Sequence, residues 1–367
     1  MKILIFIQCA NLGGMEQAAL ELAKELKRLG HDPEFLSLTP VGGLGPVLES
    51  HGIPVSGIEY RGGFGWKSFL PLKKKLRAIN ADALIMFGHN LMGMLALGAF
   101  CRKRRILTLH FHHQGVMHPL LWKLLYAVAG RRFAKIVFPS AFIRDEAIAL
   151  SPWIEQRSLI VRYPFASHPP VSPEEKRSSR RVLGIAEDGA VVGNAGWLIP
   201  RKRWDVFLRV AEQVLKARPD ARLLIAGDGP ERSSLEALAR SLGISDRVQW
   251  IGWQSDLSVF YKSLDVLLFN SDWDAMGRTP LEAMTYGVPV VASVTHGGLG
   301  EIMDSEKHGF FLNEHTLEKL AGYVVRLLDD PFLAASTGEA GRVKMRDDGD
   351  SKKYAESMMA LLGERHE

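Results

Sequence analysis

Cysteine is almost absent from this chain of 367 residues, which contains only Cys9 and Cys101. The two lie far apart in the sequence, so no disulfide framework of the kind found in small secreted proteins is predicted. No Cys/His spacing matches a structural zinc site. We therefore expect reduced thiols, no metal centre and a cytoplasmic protein.

Long apolar runs are also missing. No stretch of about 18 apolar residues occurs, so no membrane-spanning helix is predicted. The apolar start at residues 1–7 is too short for a signal peptide and lacks a small-residue cleavage pattern. It is predicted to be the first buried strand instead.

The charge balance is mildly basic. Lys and Arg outnumber Asp and Glu by 46 to 41, which gives a net charge of +5 and a pI of about 9.1. A nucleotide, an anionic lipid or a nucleic acid is compatible with this balance. Because the basic residues are scattered and no nucleic-acid reading motif appears, no nucleic-acid partner is predicted.

What the chain does contain is a repeated alternation of short apolar strands and amphipathic helices. Residues 2–8, 15–29 and 34–38 predict a first strand–helix–strand unit, and the alternation starts again near residue 190. This pattern predicts an α/β fold with two Rossmann-like domains facing across a cleft. Residues 41–65, rich in Gly and Pro, are predicted to form loops.

The predicted domains follow from these patterns. The first domain is expected at 1–168, a linker rich in proline and charge at 169–181, the second domain at 182–348 and a last helical segment at 349–367.

The most informative stretch follows the strand predicted at residues 266–269. The polar residues 270–274 at its end lead into a glycine-containing loop and a helix, and a second strand at 289–292 ends before Gly297 and Gly298. Ligands of open α/β sheets bind at this carboxyl edge.

The start of that helix has a purely structural interpretation. Thr279 can cap it, with Pro280 as the first helical residue and Glu282 completing a capping box. Glu282 would then have no role beyond the cap.

The same helix start also has a functional interpretation. Free amides at Gly277, Arg278 and Thr279, together with the helix dipole, form a phosphate site. Asp274 and Glu282 flank it, and carboxylates there can accept hydrogen bonds from the hydroxyls of a ribose or hexose.

This stretch resembles the nucleotide-sugar site of the retaining glycosyltransferases of family 4, which have the GT-B fold. Their signature places two acidic residues in Ser-x-x-Glu-Gly-Phe-Gly and Leu-Glu-Ala-Met, followed by Gly-Gly-x-x-Glu-Ile. The matching residues here are Ser271, Asp274, Gly277, Leu281, Glu282, Ala283, Met284, Gly297, Gly298, Glu301 and Ile302. Gly13-Gly14-Met15-Glu16 resembles the Gly-Gly-x-Glu start of the same family.

The resemblance implies a role for each site residue. Glu282 would hydrogen-bond the donor ribose, Asp274 the sugar hydroxyls, and Lys202 the diphosphate, while His110 would contact the donor sugar. Asp274, His110 and Lys202 are thus the expected catalytic residues. The other expected donor-binding residues are Gly13, Gly14, Arg201, Gly252, Gly277, Arg278, Thr279, Gly297, Gly298 and Glu301, the last of which could instead brace the glycine loop. No metal or other cofactor is expected, and the last helix is expected to cross back onto the first domain.

The chain departs from the family pattern at two charged positions. Asp274 stands where the signature has glutamate, and Trp197 stands where Gly-Arg-Leu-x-x-x-Lys has arginine. Arginine and lysine clamp the donor diphosphate in that motif, so one cation is missing here. We hypothesise that Arg201 or Arg278 replaces it.

Three histidines, His110, His112 and His113, follow the strand predicted at residues 106–109. Hydrogen-bonded structure and a metal triad are the alternatives that the residues themselves leave open. No carboxylate lies near them in the sequence, which disfavours metal.

Residues 66–79 predict a basic amphipathic helix. Such a helix can lie on an anionic membrane surface, or it can pack on the sheet with its charged face in solvent. The basic run 102–105 favours the membrane alternative, which would place the protein peripherally on the inner face of the membrane.

The function predicted from these features is retaining transfer of a sugar from a nucleotide-diphosphate sugar to a cell-envelope glycan, lipid or polysaccharide acceptor. Two alternatives remain open at this point. One is a GT-B nucleotide-sugar epimerase, and the other is a nucleotide-sugar-binding subunit that has lost turnover.

Overall fold

The computed structural model of the chain describes residues 1–11, 13–59, 66–96, 104–110 and 118–363. The chain divides into two compact units, one formed by Met1–Ala166 with Gly349–Glu367 and the other by Ser167–Asp348. The boundary predicted at residue 168 lies close to this division.

The first unit is built on a parallel sheet. Its described strands are β1 Lys2–Ile7, β2 Asp32–Ser37, β3 Val55–Gly57, β4 Ala83–Phe87, β5 Arg105–Thr108, β6 Lys135–Phe138 and β7 Ser158–Ile160. They lie side by side in the order β3-β2-β1-β4-β5-β6-β7, and every recorded pair is parallel. The central strands β1 and β4 are nearly continuous apolar runs, because helices cover both faces of a parallel sheet.

The helices of the first unit connect these strands. They are α1 Gly14–Arg28, α2 Leu44–Ser50, α3 Trp66–Ile79, α4 Leu91–Ala96, α5 Pro119–Arg132 and α6 Ala141–Leu150. The prediction of loops for residues 41–65 was wrong in part, because α2 and β3 lie there. Helix α2 buries only two leucines, Leu44 and Leu48, and this is too weak a periodic signal in a seven-residue helix.

The end of the chain belongs to the first unit. A final helix, α14 (Ser351–Gly363), contacts α1 and buries Tyr354, Met358 and Leu362. Just before it, Phe165 N–H donates to the carbonyl of Gly349 at 2.8 Å.

The second unit has its own parallel sheet. Its strands are β8 Val191–Ala195, β9 Arg222–Ala226, β10 Val248–Gly252, β11 Val266–Asp274, β12 Val290–Gly297 and β13 Phe310–Leu312. Their order is β10-β9-β8-β11-β12-β13. The helices are α7 Pro173–Val182, α8 Trp204–Ala217, α9 Arg232–Ser241, α10 Ser258–Ser263, α11 Arg278–Thr285, α12 Leu317–Asp329 and α13 Pro331–Asp348.

The predicted linker at 169–181 is largely helical, which corrects that prediction. Ser172 accepts from the N–H of Glu175, whose carboxylate accepts from the N–H of Ser172, so a capping box starts α7. Pro173 is the first residue of the helix. Proline suits this position because the backbone N–H that it lacks would have no partner within the helix there. The proline-rich composition therefore marked a helix start rather than an irregular connection.

No helix among the described residues has the length and apolar character needed to cross a bilayer.

Candidate functional site

The candidate site begins where β11 and β12 end. Both strands run further than predicted, so the polar residues 270–274 continue β11 and pair with β12 up to Asp274 opposite Gly297. A Cβ at position 297 would collide with the carbonyl of Asp274, and Gly297 has a φ of 155°. Glycine at this position therefore lets the two strands stay together up to the site.

Asp274 lies at the centre of a cluster of charges. One of its oxygens forms an ion pair with Lys202 and lies 3.8 Å from Arg201 Nη1, and the other accepts from the N–H of Gly277 at 3.2 Å. The side chains of Asp274 and Lys202 are only 16% and 15% exposed. The sequence-predicted residues Asp274, Lys202, Arg201 and Gly277 are thus brought together.

The protonation of this cluster follows from its surroundings. Burial acts to raise the pKa of Asp274, but the charges of Lys202 and Arg201 and the hydrogen bonds it accepts lower it overall. The pKa of Lys202 is also lowered, because burial and the charge of Arg201 outweigh the attraction of Asp274. Asp274 is therefore held as a carboxylate between two cationic side chains.

Arg201 is held in place from two sides. Its guanidinium lies over the ring of Trp273 at 4.3 Å from the centroid and donates to the Trp273 carbonyl at 3.2 Å. The hydroxyl of Ser271 donates to the carbonyl of Arg201 at 3.0 Å. These contacts fix the loop that carries both cations against the end of β11.

The helix start differs from the predicted cap. Gly277 is the cap residue, in the left-handed region with φ 70°, and α11 begins at Arg278. Thr279 is already inside the helix, and its hydroxyl donates to the carbonyl of Ala195 at 3.0 Å. The capping-box interpretation was wrong because Thr279 is used to tie α11 to the end of β8.

Glu282 is held by two other side chains. Its Oε1 lies 2.7 Å from Arg278 Nε, and its Oε2 accepts from the hydroxyl of Tyr261 at 2.9 Å. Burial, reinforced by the nearby charge of Glu282, raises the pKa of Tyr261 well above its usual value, so Tyr261 remains a donor. The carboxylate of Glu282 is therefore oriented by side-chain contacts rather than by the helix backbone.

A second polar chain beside the site was missed by sequence reasoning. Asn270 donates to Ser293 Oγ at 2.7 Å, Ser293 Oγ lies 2.7 Å from His315 Nδ1, and His315 Nε2 lies 3.3 Å from Asp272 Oδ1. Arg203 donates to the same Asp272 oxygen at 3.0 Å. In the sequence, only the carboxylate of Asp272 at a strand end could have pointed to this chain. Its partners could not be predicted, because they come from distant parts of the sequence.

The remaining predicted residues of the second unit lie at two places, with Gly298 and Glu301 after β12 and Gly252 at the end of β10, three strands away from β11. Gly298 donates to the carbonyl of Ala275 at 3.1 Å, and Glu301 ends a short 3-10 helix that follows it. Gly252 ends β10 with φ 70°.

The first unit carries Gly13, Gly14 and His110. Gly13 precedes α1, and a side chain there would collide with the carboxylate of the buried Glu16. Burial raises the pKa of Glu16, although the backbone and the Cys9 thiol partly offset this effect. The sequence did not reveal Glu16 as a buried acid.

His110 lies between two aromatic rings. Its Nδ1 is 2.8 Å from the hydroxyl of Tyr163, and its ring stacks on Tyr163 and Phe87 at centroid distances of 5.0 and 5.6 Å. His112 and His113 lie outside the described residues, so the metal alternative for this segment is untested. Within the described ranges, no three His, Cys, Asp or Glu side chains form a group that could hold a metal.

Known families match both units. Residues 12–158 match the model of Glycosyltransferase Family 4, and residues 175–344 match that of Glycosyl transferases group 1. The chain belongs to the family 4 glycosyltransferases. The family and the α/β fold of two Rossmann-like domains predicted from the sequence are thereby confirmed.

Relatives of this glycosyltransferase include one without a stated substrate and one with a stated activity. An uncharacterized glycosyltransferase of Haemophilus influenzae is 24% identical over 96% of this chain and 97% of its own. The GDP-mannose-dependent mannosyltransferase of Corynebacterium glutamicum, which acts on a monoacylated phosphatidylinositol monomannoside, is 32% identical over 53% of this chain and 51% of its own.

Solved structures share the fold. The Anabaena protein HepE, crystallised with UDP and glucose, has a TM-score of 0.84 at 21% identity and covers 99% of both chains. At this identity the likeness shows the GT-B fold of the glycosyltransferase and nothing further about its substrates.

Proposed function

We propose that this glycosyltransferase transfers a sugar from a nucleotide-diphosphate sugar to a cell-envelope glycan, lipid or polysaccharide acceptor, with retention of anomeric configuration and without a metal. The observation that carries the proposal is the cluster of Asp274, Lys202 and Arg201, which lies where β11 meets the start of α11.

The cluster suits a departing diphosphate. Negative charge grows on the diphosphate as the glycosidic bond breaks, and preorganised cations stabilise that charge. Lys202 has three N–H donors, so it can keep Asp274 and still donate to a phosphate oxygen. The amides of Arg278 and Thr279 at the start of α11 would complete the anion site, whereas the amide of Gly277, predicted to be free, already donates to Asp274.

The carboxylates have different roles in this proposal. Glu282, oriented by Tyr261 and Arg278, would accept from the hydroxyls of the donor ribose. Asp274 would accept from a hydroxyl of the transferred sugar. His110 keeps the role of a donor-sugar contact that the family resemblance implies. Retention of configuration is consistent with attack on the face that the diphosphate leaves, with the diphosphate taking the acceptor proton.

The relatives support a nucleotide-diphosphate donor and a membrane-linked acceptor. HepE was crystallised with UDP, and the Corynebacterium enzyme uses GDP-mannose and a phosphatidylinositol glycolipid. These names differ in the base, so the base used here is left open in the proposal.

A lipid acceptor would place the protein on a membrane surface, as residues 66–79 and 102–105 predict. In α3 the leucines Leu72 and Leu76 and the isoleucine Ile79 are buried in the first unit, so this part of its apolar face is already used. Its exposed residues include Lys74, Arg77 and Leu70. Among the described side chains of α3, a membrane contact would therefore involve the basic residues and Leu70. Of the run 102–105, residues 102 and 103 lie outside the described residues, and Arg105 is buried.

The decisive experiment is a turnover assay with the full-length protein. UDP-, GDP- and ADP-sugars are offered with lipid-linked and polysaccharide acceptors in EDTA, and nucleoside diphosphate release and product anomeric configuration are measured. We expect release that depends on acceptor and a product that keeps the donor configuration. Epimerised sugar from donor alone would establish the epimerase instead, and nucleotide binding without turnover the inactive subunit.

A matched pair of lysine variants tests the site. Lys202→Met should reduce turnover by roughly 100-fold or more, because a cation beside the leaving group is lost. Lys262→Met removes a lysine of the same unit that forms an ion pair with Glu175 at 3.1 Å on the surface, and it should leave turnover unchanged. Equal rates for the two variants would contradict the assignment of Lys202.

A further inference from the structure

Two tryptophans on the second unit are paired and exposed. The rings of Trp197 and Trp253 lie 4.6 Å apart between centroids at an angle of 39°. Trp197 is 52% exposed and Trp253 is 43% exposed. The contacts described above for the charged cluster use neither indole, and so leave two large apolar faces open to solvent.

The fold brings these tryptophans together from strands that are not neighbours. Trp197 follows β8 and Trp253 follows β10, with β9 between them. The turn after β9 begins at Gly227, where a Cβ would collide with the carbonyl of Gly196. Because this turn has no side chain at Gly227, the loops on either side can approach each other above it.

The backbones that carry the two indoles are fixed. Gly196 N–H donates to the carbonyl of Ala226 at 2.9 Å, and Gly227 N–H donates to that of Gly252 at 2.7 Å. The indole N–H of Trp204, a buried residue, donates to the carbonyl of Trp197 at 2.9 Å. The exposed rings are therefore presented on a rigid support, so little ordering is needed when a ligand stacks on them.

Their position limits what can stack there. Trp197 and Lys202 lie on the same loop between β8 and α8, at the carboxyl edge where ligands of such sheets bind. In a nucleotide sugar whose diphosphate is bound by Lys202 and Arg201, one end of the molecule is a planar aromatic base. The nucleobase is the part of a nucleotide sugar that matches two exposed indole faces.

We propose that Trp197 and Trp253 form a stacking platform for the nucleobase of the donor. The proposal rests on the function proposed above and adds to it the pair of residues that would bind the base. Trp197 then supplies an aromatic contact to the base at the position where the family motif has a charged contact to the phosphate. Because every base has an aromatic face, the platform should strengthen binding of UDP, GDP and ADP alike.

Isothermal titration of the full-length protein with UDP, GDP, ADP and inorganic pyrophosphate tests the platform. Trp197→Ala and Trp253→Ala should each lower the affinity for the nucleoside diphosphate that the wild type binds best. We expect a loss of roughly 10-fold, the effect of losing one stacking partner. Pyrophosphate affinity should stay the same, and Trp197→Phe should keep most of the nucleotide affinity. Trp153→Ala, a change at a tryptophan that is 56% exposed in the first unit, is the matched control and should change nothing.

The outcomes separate the two proposals. If the wild type binds none of the three nucleoside diphosphates, the proposed function fails. If it binds one and the alanine variants bind that nucleotide equally well, the platform is refuted while the function stands. The same holds if the variants lose affinity for pyrophosphate as much as for the nucleotide. An unchanged nucleotide affinity with a raised KM for acceptor would assign the indoles to the acceptor sugar and would also overturn the platform.

Discussion

At the scale of single residues, the site combines family residues with two substitutions. Trp197 removes a cation from the family motif, and the guanidinium of Arg201 lies 3.8 Å from Asp274 beside Lys202. Arg278, the other candidate for the missing cation, forms an ion pair with Glu282. The geometry therefore favours Arg201 as the replacement, because the charge of Arg278 is largely matched by Glu282.

We expect Arg201→Ala to weaken the affinity for the bound nucleoside diphosphate by roughly 10-fold, the value of a hydrogen bond to a charged group. Arg278→Ala should have a smaller effect on this affinity. Isothermal titration measures both, and Arg218→Ala, which removes surface ion pairs with Asp220 and Asp329, is the control. Unchanged binding in both site variants would refute the compensation hypothesis.

At the scale of elements, the extended ends of β11 and β12 organise the polar chain around His315. Asn270 donates to Ser293, which leaves the Ser293 hydroxyl to donate to His315 Nδ1, so the Nε2–H of His315 can donate to Asp272. This arrangement fits a neutral imidazole. Burial lowers the pKa of His315 below its ordinary value of 6.5, and Arg203 acts in the same direction against the opposing effect of Asp272.

The lowered pKa makes stability depend on pH. Below 6.5 the unfolded chain binds a proton at His315 more readily than the folded one, so the free energy of unfolding should fall as the pH drops towards the lower folded pKa. Urea unfolding at about pH 7 and about pH 5.5 measures this loss. The loss should be smaller in His315→Gln, whereas His51→Gln, a change at an exposed surface residue, should behave like wild type. An equal loss in all three proteins would contradict the prediction.

The elements also show where sequence patterns were sufficient. The apolar runs of β1 and β4 and the periodicity of α1 predicted the first sheet, because a parallel sheet buries both faces of its strands. The start of α11 was not predictable, since the hydroxyl of Thr279 could cap its own helix or reach Ala195. Only the position of β8 beside β11 selects the second contact.

At the scale of the whole molecule, the basic residues of the first unit are the feature that bears on location. The exposed Lys74 and Arg77 and the half-buried Lys73 of α3 belong to the segment proposed to meet an anionic surface. Such contacts depend on charge and are screened by salt.

We expect the protein to sediment with vesicles that contain anionic lipid at low ionic strength and to be released by salt. The triple variant Lys73→Gln, Lys74→Gln, Arg77→Gln should reduce the bound fraction. A triple variant with the same loss of charge on the second unit, Lys216→Gln, Lys319→Gln, Arg326→Gln, should bind like wild type because these exposed residues lie on α8 and α12. Equal binding by the two variants would refute a specific role for α3.

The sequence by itself determined the family, the two Rossmann-like domains and the identity of the charged residues of the candidate site, because apolar periodicity and short motifs are local properties. The tertiary structure decided the partners of those residues. The ion pair of Asp274 with Lys202, the hold of Tyr261 on Glu282 and the meeting of Trp197 with Trp253 each join positions that are distant in sequence. Such contacts depend on which strands lie side by side and on where a glycine lets two loops approach, and no local pattern records either.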